Sequence, residues 1–370
     1  MKVLQVSCEG LGNGGVQAVI MGICRHMPDV HYDIILFTSE RRYYDDEFEM
    51  LGGKIFRIPN YEGLSKFRKK LDYYIRFFRI FMGTYEIIKK NGPYQAIHCH
   101  NFFESGICTF AASIAGVKVR ISHSHNSVPP IKIKRIKRFY DYFLKILIKI
   151  NSNIKIGCSE QAITYLYGND KNAFVVNNAI DLKRFNREKY PYKYHKCIKF
   201  IHVGRYCFQK NQLFLLDVFY HTKKLLDDAQ LTMIGFGKDE EKIEKKIIKL
   251  GLEENVQMLP SDSDIPKLLS ESDYFIFPSN YEGSPIVLIE AQAMGVKCFV
   301  STNVPQEANM GLCEYLDLKK GAKAWAEYIL NYKYNNNRYN REFVQDEVLK
   351  RYDIQEIYKI YKGIYEGRED

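Results

Sequence analysis

Residues 274–301 have the pattern of a strand, a loop, a helix and a second strand. An apolar run at 274–277 is interrupted by Pro278, and Pro285 suits the first turn of the helix that follows. Gly295 suits the end of that helix, ahead of a second apolar segment. This order predicts a parallel β-α-β crossover, which is the repeating unit of α/β folds.

The loop and the helix start of this unit have the chemistry of an anion site. Gly283 lets a ligand approach the backbone closely, and the free N–H groups at Pro285–Ile286, where the helix starts, suit a phosphate. Glu282 precedes the helix, and Glu290 lies about one and a half turns inside it. Carboxylates beside a bound diphosphate are suited to accept hydrogen bonds from hydroxyls, and sugars supply many.

The spacing Glu282-x7-Glu290 within E-G-S-P-x-x-x-x-E resembles the E-x7-E motif of retaining glycosyltransferases of family 4 (group 1), which have the GT-B fold. The resemblance implies that Glu282 contacts the transferred sugar and that Glu290 contacts the ribose. It also implies that Gly283, Ser284 and Ile286 bind the donor. The alternative is a loop carboxylate and a solvated helix face, but the complete strand-loop-helix-strand context favours the donor site.

Two basic residues follow another predicted strand, at 199–203. Gly204-Arg205 ends that strand and Lys210-Asn211 opens the next helix, so two cations can meet one diphosphate. The pattern resembles the family's G-R-x-x-x-x-K-N, which implies that Arg205 and Lys210 neutralise the leaving nucleotide diphosphate. The alternative is a pair of ordinary basic residues on the surface.

A glycine-rich turn at 10–15 follows the first predicted strand and precedes a helix. By its letters the turn fits G-x-G-x-x-G, and Glu40 stands near the place of a ribose-binding acid, so a dinucleotide site remains as an alternative. The turn also resembles the N-terminal G-G loop of the family. That resemblance implies that the backbone at Gly14 and Gly15 lies close to the donor phosphates.

Histidines cluster after two predicted strands of the first half. His123 and His125 follow a strand that begins at Val117, and α/β sheets place ligands at such strand ends. Family members commonly have one histidine here, near the sugar and the phosphate. The spacing favours His125 for this catalytic position over its rival His123, and we assign His100 and His123 to the acceptor side. A structural histidine is the alternative for each.

A metal site at His98-Cys99-His100 is not expected. On a strand Cys99 would point away from both histidines, and no nearby cluster completes a coordination shell. The resemblance likewise implies that cationic side chains replace a metal, so we expect no cofactor besides the nucleotide sugar. The nine cysteines include no C-x-x-C pair and indicate reduced thiols in a cytoplasmic protein.

The formal net charge of +10 is concentrated in two segments, 65–90 and 131–150. In the first, Leu71, Tyr74, Ile75, Phe78 and Met82 recur at helical spacing, which predicts an amphipathic helix. Such helices suit an anionic membrane surface, and equally a sheet-packed helix with a solvated basic face. With no apolar run of about 18 residues, we expect a cytoplasmic protein, peripheral at the inner face of the cell membrane.

The length of 370 residues predicts two domains. A polar, Pro-broken linker at 187–196 separates a first domain, 1–190, from a second, 196–350. The resemblance implies two Rossmann-like α/β domains that face each other across a cleft, with the donor held mainly by the second. It also implies that a C-terminal helix, 352–370, crosses back to the first domain.

These patterns predict a retaining glycosyltransferase of the capsular or exopolysaccharide type. The donor is a nucleotide-diphosphate sugar, with UDP as the first expectation and GDP as the second, and the acceptor is a lipid-linked saccharide. The family is thought to retain configuration by front-face attack, with the leaving phosphate taking the acceptor proton. Two alternatives remain: a nucleotide-sugar epimerase of the same fold, and a basic nucleic-acid-binding protein. The sequence has no helix-turn-helix or zinc signature for the latter, so we expect no nucleic-acid partner.

Overall fold

The computed structural model describes residues 1–8, 10–58, 66–125, 135–192, 195–335, 341 and 343–368, and the side chains of 66–74, 135–138, 334 and 335 lie outside the description. The chain divides into two compact units. The first is Met1–Ala179 together with Ile354–Asp370, and the second is Ile180–Asp353. Among the described residues, no helix combines the length and apolar character needed to cross a bilayer.

The first unit contains a seven-stranded parallel sheet in the order β3-β2-β1-β4-β5-β6-β7. Its strands are β1 (Lys2–Ser7), β2 (His31–Leu36), β3 (Ile55–Arg57), β4 (Ala96–Cys99), β5 (Val119–Ser124), β6 (Ile154–Gly157) and β7 (Ala173–Val175). Its helices are α1 (Gly15–His26), α2 (Asp45–Met50), α3 (Lys66–Asn91), α4 (Ser105–Ala115), α5 (Arg135–Asn151), α6 (Glu160–Tyr167) and α13 (Ile354–Glu366). The central strands are buried, as a sheet covered on both faces requires.

The second unit repeats this plan with a six-stranded parallel sheet in the order β10-β9-β8-β11-β12-β13. Its strands are β8 (Ile198–Val203), β9 (Ala229–Ile234), β10 (Val256–Leu259), β11 (Tyr274–Phe277), β12 (Lys297–Ser301) and β13 (Cys313–Leu316). Its helices are α7 (Gln212–Leu225), α8 (Glu240–Leu250), α9 (Ile265–Ser270), α10 (Ile286–Ala293), α11 (Gly321–Asn335) and α12 (Asp346–Lys350). Strand β11, helix α10 and strand β12 form the predicted crossover, and the prediction of two parallel α/β domains is confirmed.

The boundary between the units lies earlier than the sequence indicated. The chain enters the second unit at Ile180, ahead of the polar segment 187–196. Ile180 and Phe185 are buried in the core of the second unit, and the Ile180 N–H donates to the Tyr352 carbonyl at 2.8 Å. Two apolar anchors and a backbone hydrogen bond thus fix a segment that composition alone assigned to the first domain.

The C-terminal helix α13 belongs to the first unit, as predicted, and it packs on α1. Its inward face comprises Ile354, Ile357, Tyr361, Ile364 and Tyr365 at helical spacing. The last two residues of the predicted segment, 369 and 370, lie outside the described part of the chain. The fold of the first unit therefore depends on both ends of the sequence.

Helix α3 packs through a different stripe from the one that its periodicity indicated. Ile75, Phe78 and Met82 are 48%, 65% and 48% exposed, whereas Ile80 and Ile88 are buried in the core. The side chains of Leu71 and Tyr74, the first members of the predicted stripe, lie outside the described residues. The apolar residues of this helix thus occupy two stripes, and the one recognised in the sequence faces solvent.

Replacing Ile357 by alanine is expected to destabilise the first unit by about 2–5 kcal/mol, because its side chain is 4% exposed beneath α13. Ile360→Ala removes the same atoms from a 44% exposed position on the same helix, and we expect a change within about 0.5 kcal/mol. Urea unfolding measures both losses. Equal losses would contradict the packing of α13 on α1.

Candidate functional site

Three loops meet at the carboxyl ends of strands β8, β9 and β11. These strands are parallel neighbours in the sheet, so their C-terminal ends lie along one edge. The loops are the 204–211 loop after β8, the 235–237 turn after β9 and the 278–285 loop after β11. Every residue that the sequence assigned to the donor in the second domain lies in these loops or in α10, at the start of which the third loop ends.

Direct hydrogen bonds join the 204–211 loop to the 278–285 loop. The Asn211 amide donates to the Pro278 carbonyl at 3.1 Å, and the Asn280 amide donates to the Phe208 carbonyl at 2.6 Å. The Asn280 N–H donates to the Gln209 carbonyl at 2.8 Å. Asn211 adopts φ of 56°, a left-handed conformation that asparagine tolerates better than most residues. These contacts fix the relative position of the two motifs.

Lys210 and Glu282 form an ion pair between the two loops. The Lys210 ammonium lies 2.7 Å from Glu282 Oε1, and their side chains are 15% and 5% exposed. Glu282 Oε2 accepts a second bond from the Gln209 amide at 3.3 Å, and the Lys210 ammonium lies 4.6 Å from the centre of the Phe277 ring. The two residues that the sequence assigned separately to the sugar and to the diphosphate are in direct contact.

Arg205 differs from Lys210 because it is exposed. Its carbonyl accepts from the Gln212 amide at 2.9 Å, and that amide is also 3.1 Å from His202 Nε2. His202 Nδ1 donates to the Ile276 carbonyl at 2.9 Å, and burial lowers the pKa of His202 to about 4. The neutral ring therefore accepts from Gln212 and holds the backbone that carries Arg205. No sequence signal indicated His202 or Gln212.

The 235–237 turn lies against the 204–211 loop because it has no side chain at two positions. A Cβ at Gly235 would lie 2.2 Å from the Gly204 carbonyl oxygen, and one at Gly237 would lie 2.3 Å from the Tyr206 carbonyl oxygen. Both glycines have positive φ, near 155°, which other residues rarely adopt. The Tyr206 N–H donates to the Phe236 carbonyl at 2.7 Å and closes the contact.

Helix α10 begins at Ile286, with Pro285 at the N-cap and no side-chain cap. Gly283, Ser284 and Ile286 are half-buried. Glu290 lies on the second turn of the helix, and burial raises the pKa of its carboxyl to about 7, while the charge of Arg184 opposes that rise. This carboxyl can therefore exist in both protonation states near neutral pH. The sequence did not indicate the contribution of Arg184.

In the first unit, Gly14 is the N-cap of α1 and Gly15 is its first residue, with no side-chain cap. A Cβ at Gly12 or Gly15 would meet nothing within 4 Å in the described chain, so packing does not require glycine there. Glu40, the acid of the alternative dinucleotide site, is exposed and pairs with Arg42. The open backbone at Gly15 suits the approach of a ligand.

The structure brings all four of the strand-end histidines together. Strands β4 and β5 are neighbours with Cys99 opposite Ser122, which sets His98 and His100 beside His123 and His125. The ring centroids of His98 and His123 are 5.3 Å apart, and those of His100 and His125 are 5.0 Å apart. His98, His100 and His123 are buried, and His125 is half-buried, so its ring is the more accessible of the two rivals.

One premise of the sequence analysis about metals is wrong. We expected no cluster that could complete a coordination shell around His98 and His100, yet ligand atoms of His98, His100 and His123 lie within 4.8 Å of one another. The sheet order causes this, because β5 pairs with β4 and supplies His123 from a distant part of the sequence. A metal-free site stays a prediction.

Comparisons with known proteins match both halves of the chain. The model for glycosyl transferases group 1 matches residues 184–341, and the model for Glycosyltransferase Family 4 matches residues 13–184. A Bacillus subtilis protein named as a glycosyltransferase, EpsF, is 30% identical over 98% of this chain and 96% of its own length. The capsular polysaccharide biosynthesis glycosyltransferase CapH of Staphylococcus aureus is 26% identical over 97% and 98%.

A third relative has a named donor and acceptor. It is the UDP-Gal:α-D-GlcNAc-diphosphoundecaprenol α-1,3-galactosyltransferase of Escherichia coli, 26% identical over 78% of this chain and 76% of its own. Among solved structures, Anabaena HepE in complex with UDP and glucose superposes with a TM-score of 0.76 over 98% of both chains. Its sequence identity is 16%, so this likeness concerns the fold.

The raised pKa of Glu290 predicts a pH-dependent stability. The folded state holds the proton more tightly than the unfolded state, whose pKa is near 4.5, so wild type loses stability as pH rises from 4.5 through 7. Relative to Glu290→Gln, we expect a loss of about 1–3 kcal/mol between pH 4.5 and 8, nearer the lower figure because Glu290 is only half-buried.

Urea unfolding at pH 4.5, 6 and 8 measures this difference. Glu241→Gln is the matched control, because that carboxylate is 77% exposed on α8 in the same unit. A stability difference between wild type and Glu290→Gln that stays constant with pH would contradict the assigned environment of Glu290.

Proposed function

The chain belongs to the family 4 (group 1) glycosyltransferases, and we propose that it transfers a sugar from a UDP-sugar to a lipid-linked saccharide with retention of configuration, in capsule or exopolysaccharide synthesis. The observation that carries the proposal is the contact between two distant motifs. The Lys210 ammonium of one is 2.7 Å from the Glu282 carboxylate of the other. The candidate charge-neutralising and sugar-binding groups therefore form one site.

The donor site that we propose divides its tasks by charge. Lys210 has three N–H donors, so one can bond Glu282 while another bonds a phosphate oxygen. Arg205 is exposed on the same loop and supplies a second cation for the charge that develops on the leaving diphosphate. The uncapped start of α10 adds backbone N–H groups. These groups support catalysis without a metal.

The carboxylates suit hydroxyl recognition. Glu282 is engaged by Lys210 and Gln209, which orients its oxygens as acceptors for sugar hydroxyls and makes it a poor free nucleophile. Glu290 can accept or donate near neutral pH, which suits the paired hydroxyls of a ribose. With Glu282 so engaged, we favour front-face attack, in which the leaving phosphate takes the acceptor proton. His125 contacts the sugar in this proposal, and Gly14 and Gly15 approach the phosphates.

Two comparisons support UDP ahead of GDP. The Escherichia coli relative is named for UDP-Gal, and the Anabaena structure contains UDP and glucose. The acceptor part of the proposal is supported by the first of these, which is named for a diphosphoundecaprenol-linked sugar. A lipid-linked acceptor requires the enzyme to work at a membrane surface.

The surface of the first unit supports such a location. Besides the exposed stripe of α3, helix α5 exposes five apolar side chains, and the two helices lie on either side of α4. We call these residues the apolar patch: Ile75, Phe78, Met82, Phe139, Tyr142, Phe143, Ile146 and Ile150. Phe77 joins the two stripes, with ring centroids 5.5 Å from Phe78 and 5.9 Å from Phe143.

We propose that the apolar patch docks on an anionic membrane. The helices that carry it are also the basic segments of the chain, so apolar burial and attraction to acidic lipids act together. The segment 131–134, which belongs to the second predicted basic stretch, lies outside the described residues. The protein would then be peripheral at the inner membrane face, where lipid-linked saccharides are extended.

UDP is expected to raise the melting temperature of the wild type by several degrees at about a hundredfold excess over Kd, because only the folded state binds it. Arg205→Ala/Lys210→Ala should abolish the shift. The control Lys242→Ala/Lys245→Ala removes two exposed lysines of α8 and should keep it. The panel includes GDP, ADP, CDP and TDP, all without metal.

Other outcomes of this panel separate the alternatives. Stabilisation by NADH instead of UDP would favour the dinucleotide site at 10–15. Consumption of UDP-sugar without any acceptor would favour the epimerase, and salt-sensitive binding to any DNA duplex would favour the nucleic-acid protein. The absence of a shift with every diphosphate would contradict the donor site.

The protein is expected to pellet with vesicles of anionic phospholipid at low salt and to be released at high salt, because screening weakens the attraction. Phe78→Ser/Phe139→Ser should weaken binding about tenfold or more, because two exposed rings no longer enter the interface. Phe174→Ser/Ile248→Ser removes two exposed apolar side chains elsewhere and is the control. Equal binding by both double variants, or no binding at any salt, would contradict docking through the apolar patch.

A further inference from the structure

Two chains of hydrogen bonds connect the four histidines to a single amide, that of Gln5 on β1. In the first chain, His100 Nε2 lies 3.0 Å from Gln5 Oε1, and His100 Nδ1 lies 2.8 Å from His125 Nε2. The sequence assigned His100, His123 and His125 to the site but gave no role to Gln5. The first chain therefore links a strand interior to the accessible ring of His125.

The second chain runs from the other end of the same amide. Gln5 Nε2 donates to the Tyr365 hydroxyl at 3.2 Å, and that hydroxyl lies 2.8 Å from His98 Nδ1. His98 Nε2 lies 3.2 Å from His123 Nδ1. Tyr365 belongs to α13, so the C-terminal helix contributes a polar group to the histidine cluster as well as apolar packing.

The four rings are neutral in this environment. Burial, with repulsion from the neighbouring histidines, lowers the pKa of His98, His100 and His123 well below 6.5, and burial lowers the pKa of His125 to about 3. A neutral imidazole has one N–H donor and one acceptor nitrogen. Knowing the role of one nitrogen therefore determines the role of the other.

The position of the Gln5 oxygen determines the proton positions along the first chain. Because Gln5 Oε1 only accepts, His100 Nε2 must carry the proton and His100 Nδ1 must accept. His125 Nε2 then donates to His100 Nδ1, which leaves His125 Nδ1 as an acceptor. The first chain thus ends in a lone pair.

The nitrogen of Gln5 determines the second chain in the same way. Gln5 Nε2 donates to Tyr365, so the hydroxyl proton of Tyr365 goes to His98 Nδ1. His98 Nε2 then donates to His123 Nδ1, and the proton of His123 is on Nε2. The second chain ends in an N–H donor, and all four histidines carry the proton on Nε2.

We propose that Gln5 is a positioning residue that sets the tautomers of all four histidines, so that His123 Nε2 and His125 Nδ1 always present opposite hydrogen-bonding roles. Reversing the amide would reverse both chains together, and one terminal nitrogen would still donate while the other accepted. His123 and His125 are adjacent, with ring centroids 4.0 Å apart. The network therefore presents a matched donor and acceptor at the strand ends.

This pair fits a hydroxyl better than a phosphate. His123 Nε2 is buried and has no hydrogen-bond partner among the described residues, which is costly unless a ligand supplies one. A hydroxyl group both donates and accepts, whereas a phosphate oxygen accepts and leaves His125 Nδ1 unmatched. Resting on the proposed function, the ligand group is a saccharide hydroxyl, from either the donor sugar or the acceptor.

Histidine-labelled protein, studied by nitrogen-15 NMR of the ring nitrogens, tests the network without any ligand. We expect protonated Nε2 in all four histidines, with assignment by single substitutions. Tyr365→Phe removes the hydroxyl of the second chain, so His98 and His123 should change while His100 and His125 stay the same. Tyr32→Phe removes another buried hydroxyl of the first unit, one that bonds Met27, and should change none of them.

Three results would overturn the network: mixed tautomers within one chain, equal effects of the two tyrosine variants, or a bound metal ion held by His98, His100 and His123. A metal would need lone pairs on facing nitrogens of these rings, and metal analysis of the same sample detects it. The NMR result does not depend on catalysis, so it stands apart from failure of the proposed function.

Ligand additions then test the hydroxyl assignment. Perturbation of His123 and His125 by UDP-glucose or UDP-galactose, but not by UDP or inorganic phosphate, supports a donor-sugar hydroxyl. Perturbation by methyl α-N-acetylglucosaminide alone supports an acceptor hydroxyl. Perturbation by UDP or phosphate, or by none of these ligands, overturns the assignment of hydroxyl recognition.

Discussion

Parallel strand order is the constraint on which both candidate sites depend. Neighbouring parallel strands end at one edge of the sheet, so residues far apart in sequence become neighbours whenever they follow adjacent strands. In the second unit this brings Lys210, after β8, against Glu282, after β11, at 2.7 Å. In the first unit it brings His98, beside β1, next to His123 on β5. The chemistry of each unit is therefore a consequence of its sheet topology.

The sequence was most informative where one local unit contains both structure and chemistry. The segment 274–301 gave its strand, helix and second strand correctly, because apolar runs, Pro285 and Gly295 mark its limits within a short window. The N-terminal turn and the C-terminal helix were also found from local patterns. What a short window could not give was pairing across the sheet: the histidine network, the Gln212–His202 support and the charge of Arg184 near Glu290 all join distant segments.

The errors of the sequence analysis have the same physical origin. The unit boundary was placed too late because burial of Ile180 and Phe185 depends on a core assembled from later strands. The stripe of α3 was recognised correctly as periodic, but a helix with two apolar stripes does not reveal which one packs. The same ambiguity became informative once resolved, because an exposed apolar stripe on a basic helix is a feature that packing alone does not explain.

The account unites a cationic donor site, carboxylates that recognise hydroxyls, and a surface suited to anionic lipid, and its central claim is transfer with retention. The most direct measurement is NMR of the product formed from UDP-glucose or UDP-galactose and a lipid-diphosphate-linked N-acetylglucosamine, in the presence of a metal chelator. The account predicts a new glycosidic bond with the anomeric configuration of the donor. A product of inverted configuration, or no transfer until a metal is restored, would contradict it.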